Sequence, residues 1–143
     1  QLVFYSLYTF SGDVIHRLTK IKKFVQDVVI NEWKPDIIIM EDIQYQQNGI
    51  LTFKILAMLL GILQELCCEN NIEFEAVSPN VWRKYAGTNG KNRREEKLLS
   101  VGKVKEKFSV SVSDDVAEAI LIGMYGTRIH APKITTAFGR RVE

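Results

Sequence analysis

An α/β fold built around a mainly parallel sheet is predicted by two features of this 143-residue sequence: strand-like and helix-like stretches alternate along it, and Ile37-Ile38-Ile39-Met40 is a short, continuous apolar run. Such a run is typical of a strand covered on both faces, and strands joined in parallel need a crossover helix between them. A hydrophobic content of 46% suffices for a real core, and the length fits one domain, 1–143.

Taken in order, Leu2 to Phe10 is aromatic and β-branched up to Ser11-Gly12 and reads as a strand running into a turn. A helix follows, with Asp13 as N-cap. Ile15, Leu18, Ile21, Val25, Val28 and Val29 recur at helical spacing as far as Trp33, and Pro35 stops the run. The apolar strand from Ile37 ends on Glu41-Asp42. Thr52 to Glu69 is a second helix, apolar on nearly every side, so it is expected to be buried all round or to form a subunit contact, with Gly61 permitting close approach. Glu73 to Val77 reads as a strand. Pro79 to Tyr85 reads as a short helix with Ser78 as N-cap and Pro79 at its first position. Gly87 to Asn92 is a loop, Arg93 to Phe108 a basic helix, and Asp115 to Tyr125 a last helix capped by Ser113 or Asp114. The tail from Ala131 to Glu143, with Arg140-Arg141, reads as loosely held.

Cys67 and Cys68 stand side by side in a helical stretch, where their side chains diverge. They suggest neither a disulfide framework nor a metal site, and read as buried small hydrophobes of a protein in a reducing cytoplasm. Thr52, Lys54, Gly61 and Gln64 interrupt the apolar stretch from Ile50 to Leu66, and no n-region precedes it, so neither a membrane span nor a signal peptide is expected.

The net charge of +2 conceals an asymmetry. From Pro79 to Lys107 there are nine Lys or Arg against three Glu, or +6, whereas the remainder carries −4. Cations for phosphates and carboxylates for metals are what a metal-dependent nuclease requires, although a solvated helix can be equally basic.

Carboxylates gather at two places. Glu41 ends the apolar strand, at the edge where α/β proteins bind ligands, and Asp42 points to the opposite side. In Asp114-Asp115-Val116-Ala117-Glu118, Asp115 and Glu118 lie three apart on one face of the last helix, near its N-terminus. Strand termination and helix capping account for these acids as well as a metal site does. With oxygen ligands and no Cys or His cluster, a metal here would be Mg²⁺ or Mn²⁺ rather than zinc.

The runs IIIMEDIQ (Ile37 to Gln44) and DDVAEAILIG (Asp114 to Gly123) resemble the second and last acidic motifs of RuvC-type Holliday junction resolvases. VSPNVWRKYAG followed by GKNRREEK, between them, resembles that family's DNA-gripping basic segment. The similarity runs from Leu2 to about Tyr125 and is nearest to the compact RuvC-like enzymes of bacteriophages. It implies an RNase H-like mixed sheet flanked by helices, and a structure-specific endonuclease that nicks four-way junctions, and other branched DNA, symmetrically by two-metal hydrolysis.

On this resemblance Glu41, Asp115 and Glu118 are catalytic, metal-holding acids, with Glu118 replacing an Asp common in bacterial relatives. The cofactor is Mg²⁺, with Mn²⁺ able to substitute. Arg83 or Lys84, and basic residues among Lys91, Arg93, Arg94 and Lys97, stand at the positions that contact DNA. Tyr45 matches an aromatic that probes the junction centre, or packs as an ordinary loop aromatic. Two symmetric nicks imply a homodimer, with the helix from Thr52 as candidate interface, working in the cytoplasm of a bacterial or phage-infected cell. The family's first strand carries a further Asp that this sequence does not show, and an N-terminal hairpin is expected to be missing ahead of Gln1. Two other readings stay open: a non-catalytic module that binds branched DNA, and an RNase H-like nuclease acting on RNA or hybrids.

Overall fold

The computed structural model describes residues 2–45 and 49–129; the tail expectation lies outside them. These residues fall into two compact units, one formed by Ser6–Pro79 and the other by 2–5 with 80–129.

The first unit is helix, strand, helix, strand. Helix α1 (Val14–Phe24) is capped as expected: the Asp13 carboxylate accepts the His16 backbone N–H at 2.9 Å and approaches His16 Nδ1 at 2.6 Å. The backbone bond comes first among the causes that hold the Asp13 carboxyl below its usual value. The helical run continues over Val25–Trp33 with π-type winding, a widening that hydrophobic spacing does not encode. It stops at Lys34, in the left-handed conformation (φ 51°), one residue before Pro35.

Strands β1 (Ile37–Glu41) and β2 (Glu73–Val77) pair in parallel, from Ile37 opposite Glu73 to Glu41 opposite Val77. One further bond, Asp42 N–H to the Val77 carbonyl at 2.8 Å, carries the ladder past Glu41. The residues of β1 are half-buried rather than sealed on both faces.

The crossover between the strands is α2 (Ile50–Glu69), which packs on α1 and β2. Its link to α1 is reinforced by Lys22 with Glu65, and Gln26 and Asn70 exchange hydrogen bonds just beyond α2. The expectation of all-round burial is corrected. Only Leu63, Leu66 and Cys67 are buried in α2, while Ile50, Leu51, Leu56 and Met58 are exposed. Successive helix positions turn by about 100°, so Cys68 faces outward where Cys67 is buried, against the expectation for both. Burial raises the Cys67 thiol above its usual range. By length and composition alone α2 could cross a membrane; it carries Lys54 and Glu65 and packs on α1 and β2.

The strand expected at Leu2 to Phe10 does not form. β-propensity needs a ladder to act on, and among the described residues only β1 and β2 pair. Val3, Phe4 and Leu7 are exposed, while Tyr8 and Phe10 set their rings against Phe24.

The second unit is helical. Helix α3 (Pro79–Ala86) begins at Pro79 as expected. Helix α4 (Arg93–Phe108) packs on α5 (Asp114–Ile129). Trp82, Val104, Ala117 and Leu121 are fully enclosed. Helix α5 starts one residue earlier than the sequence pattern suggests, with the Ser113 carbonyl accepting the Ala117 N–H at 2.9 Å.

Candidate nucleic-acid interface

In the second unit the first turns of α4 and α5 bring charges together. The start of α4 is fixed by a reciprocal cap: Asn92 Oδ1 accepts the Glu95 N–H at 3.0 Å, and Glu95 Oε2 accepts the Lys91 N–H at 2.7 Å. Gly90 lies close against this turn, where an added Cβ would stand 2.9 Å from the Glu96 nitrogen. Arg93, Arg94 and Lys97 then line an open groove of about 620 Å³ with Leu98, Val101 and Asp114. Lys84 and Lys91 are exposed.

Lys97 donates to Asp114 Oδ2 at 2.5 Å and to Asp115 Oδ1 at 3.4 Å. The bond to Asp114 is the leading cause that raises the Lys97 ammonium above its usual value, and the same bond leads in lowering Asp114. Asp115 itself is open, its side chain 71% exposed.

Glu118 differs from both. It stands among enclosed apolar neighbours with its side chain only 9% exposed, and an ionised carboxylate there needs full compensation. Compensation comes from two guanidinium groups. Arg93 grips it in two places, Nη1 to Oε1 and Nη2 to Oε2, both at 2.9 Å, and Arg83 Nη2 donates to Oε1 at 3.0 Å. Arg83 is itself buried, with its guanidinium 4.4 Å from the Trp82 ring centroid and Nε 3.7 Å from Glu96. Arg93 keeps half its side chain in solvent.

Of the residues predicted for DNA, Lys84, Lys91, Arg93 and Arg94 therefore reach the surface, Lys97 is partly covered, and Arg83 is turned inward. Tyr45 belongs to the first unit; it is exposed and sets its edge against Phe53 at 5.6 Å. Glu41 also belongs to the first unit, half-buried at the end of β1. Sequence reading missed the pairing of Glu118 with Arg83 and Arg93, 35 and 25 residues away. A signal was present: an acid flanked by Ala117, Ile120 and Leu121 on an inward face must meet a buried cation.

No family model and no curated protein matches the chain. Solved structures do. The chain superposes on Thermus thermophilus RuvC with a TM-score of 0.66 at 16% identity, over 91% of this chain and 80% of that one. The fold is that of RuvC. A second T. thermophilus RuvC structure, in complex with Holliday junction substrate, matches at a TM-score of 0.57 and 17% identity, over 82% of this chain and 73% of that one. The RuvC fold thus accounts for the parallel pair β1 and β2 with its flanking helices.

The resemblance also implies a divalent cation. Within either compact unit, no three Asp, Glu, His or Cys among the described residues come together as metal ligands. Asp115 has an open carboxylate that a cation could approach. Glu118 does not fit that role as arranged, because arginine nitrogens already occupy both its oxygens.

Proposed function

We propose that this chain is a structure-specific endodeoxyribonuclease that nicks four-way junctions, and other branched DNA, by hydrolysis dependent on Mg²⁺ or Mn²⁺. The observation that carries the reading is the groove at the start of α4, where Arg93, Arg94 and Lys97 stand beside the acids of α5 on a RuvC fold. Cations at a helix start, with Lys84 and Lys91 exposed nearby in sequence, suit a phosphate backbone and carry little base information. The sequence resemblance assigns Glu41, Asp115 and Glu118 to the metal; the Asp115 side chain is open to a cation, and Glu118 is bound by arginine. Tyr45, exposed and braced by Phe53, is the aromatic assigned to the junction. The relative solved with Holliday junction substrate supports four-way DNA as the ligand.

Paired nicks call for a twofold homodimer. The exposed Ile50, Leu51, Leu56 and Met58 of α2 offer it an apolar face, and a Cβ added at Gly61 would meet nothing within 4 Å. The setting that fits is the cytoplasm of a bacterial or phage-infected cell.

The test is cleavage of a synthetic four-way junction in Mg²⁺ by the natural full-length protein and by its Glu41→Gln variant. Symmetric nicks that vanish in the variant support the reading. Tight junction binding without cleavage by either protein would replace it with a branched-DNA-binding module, and cleavage of RNA–DNA hybrid by a monomer would replace it with a different nuclease.

A further inference from the structure

The sequence resemblance places Glu118 among the metal ligands, whereas its surroundings point elsewhere. Its two oxygens accept three guanidinium hydrogen bonds at 2.9–3.0 Å, from Arg83 on α3 and Arg93 on α4, while Glu118 itself stands on α5. Three helices thus meet at one carboxylate, and the partners differ in exposure. Arg83 is buried, so its role is inward: it holds the Glu118 carboxylate in place. Arg93 is 52% exposed and lines the groove with Arg94 and Lys97.

A free arginine side chain at a helix start samples many rotamers, and ordering it at a phosphate costs entropy. The bidentate grip on Glu118 fixes the guanidinium plane and leaves its remaining N–H donors pointing away from the carboxylate. We infer that Glu118 is a positioning residue for nucleic-acid binding, an anchor that presents Arg93 to a phosphate, and is not a metal ligand. The inference rests on the groove being a phosphate-binding surface, as in the function proposed above, but not on junction cleavage.

The two roles predict opposite results for the same substitutions. A metal ligand lost from a cleft that binds DNA removes negative charge, so Glu118→Gln would bind DNA more tightly without metal and would bind Mn²⁺ more weakly. Aspartate would serve as a metal ligand nearly as well as glutamate, and Glu118→Asp would behave as wild type. An anchor predicts otherwise. Glutamine at this position offers one acceptor oxygen where Arg93 needs two, and aspartate, one methylene shorter, withdraws from Arg93.

The experiment measures junction and duplex affinity in EDTA from about 50 to 200 mM salt, with Mn²⁺ binding followed separately by electron paramagnetic resonance. Wild type, Glu118→Gln and Glu118→Asp are each checked for folding by near-ultraviolet circular dichroism. The expected result is weaker binding by both variants, a salt slope shallower by about 0.9, the loss of one phosphate contact, and Mn²⁺ binding equal to wild type. Should Glu118→Gln fail to fold, Glu118→Asp, which keeps the charge beside Arg83, decides the matter by the same two readouts. Wild-type affinity and slope in Glu118→Asp, or loss of Mn²⁺ binding in either variant, overturns the inference. Loss of junction preference in wild type, with the Glu118 dependence intact on duplex, would defeat the resolvase reading and leave this one standing.

Discussion

The two acidic sites, the end of β1 and the start of α5, carry the same residue types and similar prominence in the sequence, yet folding treats them differently. Glu41 stands half-buried at a strand terminus, where its neighbour Asp42 turns its carboxylate back to the Ile43 N–H at 2.9 Å. On α5 each acid meets a cation of the basic block, and the innermost, Glu118, is sealed in by two. On α5 itself the acids range from Asp115, 71% exposed, to Glu118, 9% exposed, so how far a carboxylate is open to a ligand depends on what the rest of the fold sets beside it. Sequence position alone does not report this.

The sharpest way to break the comparison is to neutralise one acid on each side and measure stability in urea. Glu118→Gln removes the carboxylate charge that faces the buried Arg83 and is expected to cost about 3–5 kcal/mol, whereas Glu41→Gln, at a half-buried strand end, should cost about 1–2 kcal/mol. Equal losses at the two positions would erase the distinction.

A smaller effect separates the outer pair from the inner one. Asp114 has its pKa lowered by Lys97, so its contribution is present above the ordinary carboxylate value of 3.8 and is lost as pH falls through the lower folded value. Lys97 has its pKa raised, so its contribution is present below 10.5 and is lost as pH rises through the higher folded value. The stability difference between wild type and Lys97→Met should therefore be flat through neutral pH and shrink in acid below the carboxylate range. A difference that grows in acid would show that the pair does not stabilise the fold.

The smallest effect concerns a buried polar group outside these ion pairs. The Ser100 hydroxyl is fully enclosed and makes no hydrogen bond among the described residues. Ser100→Ala should be neutral or stabilising by up to about 1 kcal/mol in thermal melts. A clear loss would reveal a partner for that hydroxyl.

What could be read from the sequence follows the range of the interactions involved. Helix α4 occupies the expected residues because Asn92 and its glutamates mark the start locally, and Asp13 caps α1 for the same reason. The strand β2 and the parallel pairing were legible from apolar runs and turn residues. The segment 2–10 was misread because strand propensity describes a side chain's fit to a sheet and cannot say whether a neighbour will be there. The burial of α2 was overestimated because its composition gives apolarity and not what covers it. At the candidate site the sequence shows which acids and cations are present, but not how they pair. Glu118 and Arg83 meet only through the packing of α3, α4 and α5, so the hydrogen bond between them has no local mark in the sequence.

The tight approach of Gly90 to the first turn of α4 bears on how this surface could change over time. A side chain at that position would push against the Glu96 nitrogen and the Glu95 side chain, the residues that hold the cap. Lys91, Arg93 and Arg94 therefore sit on a short splint and not on a slack tether. Inserting or deleting residues beside it would not simply swing the cations to new places; it would cost the helix its start. Variation in what this surface recognises is accordingly expected to come from exchanging side chains on a fixed backbone, and a saturation library over residues 88–97 should return glycine at position 90 far more uniformly than any particular cation around it.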